Sequence, residues 1–150
     1  MKIKILNLWL TTYVHSQKAL EYISKKVVDN KKTLIGFGDW SQQDGVIKGH
    51  RKAPLNRTKR VLRKHATVID IDEYLTSQKC SCCGAKMKRA KLAKTFKDGE
   101  TKIVSCFKVL RCTTCNTLWN RDVNASRNLF MVLKNQLLGL KRPKHIQRKT

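Results

Sequence analysis

Acidic residues are scarce. Ten Asp and Glu stand against 33 Lys and Arg, leaving a formal net charge of +23 on 150 residues. A charge of that size repels itself and calls for a polyanion to offset it. Nucleic acid is therefore the expected partner, ahead of a merely solvated lysine surface. A run of about 20 apolar residues, as needed to cross a bilayer, is missing. No basic helix with a broad apolar face stands out, so no membrane partner is expected. The start, "MKIKILNLWLTTYVH", has neither a long apolar run nor a small-residue cleavage site. The expected location is intracellular (nucleus or cytoplasm), not secreted, where thiols stay reduced. Internal repeats and low-complexity runs are also missing.

What is there reads as one ordinary domain, or a smaller core carrying an inserted minidomain. Residues 15–30 have helical spacing at Leu20, Ile23 and Val27 behind Ser16 as a cap. The residues before them are ambiguous: Leu6, Trp9, Leu10 and Tyr13 fit a helix, Ile3 and Ile5 a strand. "TLIGFGDW" (33–40) reads as a strand, "PLNRTKRVLRKHA" (54–66) as a helix with Pro54 near its first turn, and "TVIDIDEYL" (67–75) as a second strand. Residues 120–139 give the clearest helix. Its expected core stripe is Val123, Ser126, Phe130, Leu133 and Leu137, widened by Leu129 and Leu138, with Gly139 as its stop. The basic tail 140–150 is expected to be mobile without a ligand. The alternation of elements predicts α/β with parallel strands. Two strands are too few for a parallel sheet covered on both faces, so further strands are expected upstream.

Six cysteines occur. Cys80 with Cys83, and Cys112 with Cys115, form two CxxC pairs. Each brings two thiolates to one side of a tight turn, and together they make the four-sulfur set that zinc prefers. Gly84 and Asn116, directly after the second cysteine of each pair, are residues that tolerate a left-handed backbone. The alternative, a redox dithiol, lacks its usual βαβ setting. Cys82 has the wrong spacing and Cys106 reads as a small buried hydrophobe. A closed four-cysteine site leaves no position for substrate, so the expected Zn²⁺ is structural.

The few acids fall at element ends: Asp39 after the first strand, Asp72 and Glu73 after the second, Asp122 at the start of the last helix. Acids so placed can converge on divalent metal for phosphodiester cleavage, although an acid like Asp122 in a first helical turn is more often a dipole partner or cap and strand-end acids are often just solvated. The expected nucleic-acid contacts are Arg51, Lys52, Arg57, Arg60, Arg63 and Lys64, with the ribbon lysines and the tail. Any one of these can be plain solvated charge. Trp119 is expected to pack the cysteine region onto the last helix rather than to stack on a base.

"IDEYLTSQKCSCCG", "LRCTTCN" and "NRDVNASRNLF" together resemble the C-terminal signature of the TnpB/OrfB transposon-associated RNA-guided endonucleases and their Fanzor relatives. The resemblance covers residues 33–138 and is strongest over 72–130. It implies a partial RuvC-like (RNase H) α/β fold with an inserted four-cysteine zinc ribbon: residues 1–75 and 120–139 as an incomplete nuclease domain, 76–119 as the ribbon, 140–150 as a basic tail. It implies that Asp122, in Arg121-Asp122-Val123-Asn124-Ala125, is the third catalytic acid. It makes Glu73 the second, with Asp39 a neighbour or partial substitute. The family's first catalytic aspartate lies on a strand that has no counterpart here. The resemblance thus implies a DNA-binding C-terminal fragment, with guide RNA as a further partner, that is inactive alone. Mg²⁺ would bind only once an intact nuclease site is assembled, for instance with a separately encoded N-terminal half. The competing expectation is a stand-alone basic zinc-ribbon protein that binds RNA or DNA without catalysis.

Overall fold

The computed structural model describes residues 2–29, 32–39 and 54–148, with side chains from Asn7 onward. The chain divides into two compact units, Met1–Asp70 and Ile71–Thr150.

In the first unit, α1 runs from Lys2 to Val27. The ambiguous start is therefore helical: no Gly or Pro interrupts residues 2–27, so the Ile3/Ile5 alternation yields to continuous helix propagation. α2 (Leu55–Leu62) follows Pro54, which takes the N-cap position. Leu20 and Ser24 of α1, and Val61 and Leu62 of α2, are buried. Arg57 donates to Ser16 Oγ at 3.3 Å, and His65 meets Glu21 at 2.6 Å. β1 (Leu34–Gly38) and β2 (Thr67–Ile71) lie side by side in a two-stranded sheet. Lys59 pairs with Asp70 near the end of β2. Much of α1 is left uncovered: Trp9 is 74% exposed and Leu8 68%.

The second unit is built on a ribbon. β3 (Met87–Thr95) and β4 (Thr101–Cys112) pair antiparallel, and β5 (Leu118–Asn120) adds to β4. Between the pairs Arg89↔Leu110 and Lys91↔Ser105, β4 runs further than β3, a bulge that breaks the register. α3 (Arg121–Leu137) starts on Asn120, whose Oδ1 accepts from the amides of Asp122 at 2.9 Å and Val123 at 3.3 Å.

Two expectations do not hold. Most of the expected apolar stripe of α3 is not its buried face: Leu133 is buried as expected, but Val123, Phe130 and Leu137 are exposed, and Asn124, Asn128 and Val132 are buried instead. Hydrogen bonds from the two asparagines to the backbone around Cys80 set the rotation of the helix. The tail, as far as Arg148, is docked rather than mobile. A 3-10 turn (Lys144–Ile146) buries Ile146 completely. Arg142 donates to the carbonyls of Asp72, Tyr74 and Ile146, and Arg148 makes a two-pronged bond to the Asp72 carboxylate, both prongs 3.0 Å. Two of the tail's cations, Arg142 and Arg148, find internal acceptors, which composition alone does not reveal. Beyond that, the protein is mixed α/β; the three-stranded sheet of the ribbon is antiparallel, not parallel as the alternation of elements predicts.

Candidate metal centre

The centre is two turns of the same design. In the first, the Cys80 amide donates to Ala85 O at 2.9 Å. In the second, the Cys112 amide donates to Thr117 O at 3.0 Å. Each turn closes through a left-handed residue, Gly84 at φ 76° and Asn116 at φ 56°. Amides two residues beyond a cysteine then point back at sulfur: Ala85 to Cys83, Thr114 to Cys112 (3.4 Å), Thr117 to Cys115. Cys80 and Cys112 are buried with Met87 and Leu110, against which Ala85 and Trp119 pack. Trp119 therefore serves the packing role expected of it, and Arg127 stacks on its ring at 5.0 Å.

The four sulfurs of Cys80, Cys83, Cys112 and Cys115 all lie within 4.8 Å of one another. Cys80 to Cys115 is 3.7 Å and Cys83 to Cys112 is 3.4 Å. A tetrahedral zinc with bonds of about 2.3 Å requires sulfurs about 3.8 Å apart. All six cysteines are free thiols, so the two pairs are not disulfides. Cys82 is exposed, and Cys106 is half-buried on β4 rather than fully buried. Hydrogen bonds from the Thr117 hydroxyl, then its amide, bring the Cys115 thiol down to about 6. At Cys83 the Ala85 amide is the largest influence and pulls downward. The neighbouring thiol of Cys112, burial, Cys115 and Cys80 together outweigh it and push the thiol up to about 11. Four thiols in contact cannot all ionise unaided; a cation among them removes that conflict. Donor set, spacing and amide-to-sulfur bonds all fit Zn²⁺. Among the described residues this is the one group of three or more Cys, His, Asp or Glu side chains close enough to hold a metal.

The acids are placed as follows. Asp39 is half-buried just after β1, in the first unit. Glu73 is half-buried just after β2, and its carbonyl accepts from the Thr76 amide and hydroxyl. Asp122 is exposed in the first turn of α3 and helps line an open groove of about 740 Å³ with Ser126, Phe130 and Lys134. Asp72 is taken up by the tail. Its bond to Arg148 holds its carboxyl below the usual carboxylate range, helped by the Tyr74 amide and Arg142 against the opposing effect of burial.

Of the expected nucleic-acid contacts, Arg51 and Lys52 lie outside the described residues. Arg60, Arg63 and Lys64 are exposed on α2 and the turn after it, with Arg63 also 3.6 Å from Asp70. Arg57 is half-buried, its guanidinium 5.2 Å from the Tyr13 ring, and is committed to α1. Not anticipated from the sequence is a stack on the second unit, where Arg89 and Arg121 lie against Phe107 at 5.1 and 4.5 Å. The arginines were visible, but the register that brings them to one ring was not.

A ribbon that gathers four cysteines, with a capped helix leaving it, defines a domain whose four thiols are placed so that they could hold a metal ion such as zinc. Residues 58–129 match the family described as Cas12f1-like, TNB domain. The match starts in α2, takes in both cysteine pairs and ends in α3 past Asp122, consistent with a TnpB/Cas12f-like family. No curated protein matches the chain. No helix among the described residues is long and apolar enough to cross a membrane.

Proposed function

We propose that this chain is the DNA-binding C-terminal part of a TnpB/Cas12f-like RNA-guided DNA endonuclease. On this reading the zinc ribbon is structural, and Glu73, Asp122 and Asp39 belong to an incomplete Mg²⁺ site. The observation that carries it is the TNB-domain match, which joins the ribbon and the Asp122 helix in one segment. The net charge of +23 supports nucleic acid as the partner. Uncovered apolar side chains on α1 and α3, such as Trp9, Tyr22, Val123 and Phe130, support a further body that covers them. That body would be the part of the nuclease that bears the first acid, and guide RNA would be bound by the whole assembly.

When bound, zinc supplies the positive charge that holds the four thiolates together. This chain's own residues do the rest: Gly84 and Asn116 shape the turns, and Asn120 caps the helix that presents Asp122. The purified chain should bind DNA and should not nick it in Mg²⁺. Robust Mg²⁺-dependent nicking that is abolished by Asp122→Ala would overturn the claim that the chain is inactive alone. Absence of DNA binding at low salt would overturn the reading as a whole.

A further inference from the structure

Two buried asparagines lie one turn apart on α3, both fully inaccessible. Asn124 Nδ2 donates to the carbonyls of Thr76 at 3.2 Å and Lys79 at 2.8 Å. Asn128 Nδ2 donates to the same two carbonyls, both at 2.8 Å. The paired N–H donors of the two amides thus match the paired lone pairs of the two carbonyls. Asn124 Oδ1 in turn accepts from the Ser81 amide at 2.9 Å. Lys79 and Ser81 flank Cys80, whose side chain is itself fully buried. The backbone around one metal ligand is therefore held from both sides by a helix that supplies no ligand.

We propose that Asn124 and Asn128 are positioning residues for Cys80, and that through them metal occupancy and the docking of α3 are coupled. This rests on the metal reading above but on none of the nuclease assignments. With the asparagines in place, Cys80 Sγ stays where the other three sulfurs need it. With zinc in place, the carbonyls of Thr76 and Lys79 stay where the asparagines need them. What one gains from the other is reciprocal. Asp122, two residues before Asn124, moves with the helix, so metal occupancy also governs where that carboxylate is held.

The test uses the full chain. Zinc release to a chromogenic chelator is timed for the wild type, Asn124→Leu, Asn128→Leu and Leu133→Ala. The last removes buried apolar volume from α3 and leaves both asparagines intact. Outer contacts to a metal site typically change affinity about 10- to 100-fold, so each asparagine variant should release zinc about tenfold faster than Leu133→Ala does. In the wild type, which needs no variant to fold, chelation should also raise amide hydrogen exchange in α3. Release from the asparagine variants at about the same rate as from Leu133→Ala, or α3 exchange unchanged by chelation, would overturn the coupling while leaving the metal site standing. A wild-type chain that takes up no zinc would overturn both.

Discussion

Gly84→Ala offers a prediction whose size can be worked from the geometry. Gly84 closes the first cysteine turn at φ 76°, where a Cβ is disfavoured by about 1–2 kcal/mol. An added Cβ would also lie 2.9 Å from His145 Cγ and 3.1 Å from His145 Cβ, so the docked tail must move. If the tail lets go, Ile146 is exposed, and burial of such a side chain is worth about 1.5–3 kcal/mol. The expected loss is therefore about 2.5–5 kcal/mol, read as the change in urea midpoint multiplied by the slope, with zinc saturating. Gly99→Ala is the internal control. Gly99 has a similar φ of 82°, but a Cβ there meets nothing within 4 Å, so only the backbone cost of about 1–2 kcal/mol should appear. Removing residues 140–150 should bring the Gly84→Ala loss down to that of Gly99→Ala. Equal losses for the two substitutions in the full chain would refute the docked tail.

Other outcomes follow from the same contacts. Serine at any of Cys80, Cys83, Cys112 or Cys115 should abolish stoichiometric zinc binding, whereas serine at Cys82 or Cys106 should leave it intact, as native mass spectrometry would show. The carboxyl of Asp72 is held below its ordinary value of 3.8, so the tail contact contributes stability that is complete above about pH 4 and fades as pH falls through the lower folded value. Exchange protection of the tail should follow that course in the wild type, and in Asp72→Asn it should be lower than in the wild type at neutral pH and no longer change over that range. DNA affinity should fall steeply with salt, and Lys64→Gln should reduce the slope of log K against log salt by about 1. Asp122→Ala should leave zinc content and the melting temperature nearly unchanged, because the side chain is exposed and Asn120 already caps the helix.

The metal centre was legible because its chemistry is local. Two CxxC turns, each followed by Gly84 or Asn116, specify both the donor set and the backbone conformation that aims it. The orientation of α3 was not legible from apolar spacing. Its stripe of Val123, Phe130 and Leu137 faces outward because Asn124 and Asn128, counted as polar, are more valuable inside, where they close the carbonyls of Thr76 and Lys79. The tail misled for a related reason. Arg142 and Arg148 read as free cations, but their acceptors lie about 70 residues away at Asp72 and Tyr74, a separation no window on the sequence spans. The start of α1 was undecided because a short alternation and a long helical pattern overlap there, and the absence of Gly and Pro resolves it.

The central claim is that two cysteine turns hold one structural zinc in a nucleic-acid-binding domain. X-ray absorption at the zinc edge of the purified chain tests it most directly. Four sulfur neighbours at about 2.3 Å are expected. Nitrogen or oxygen in that shell, or a protein that folds and binds DNA with no zinc at all, would contradict it.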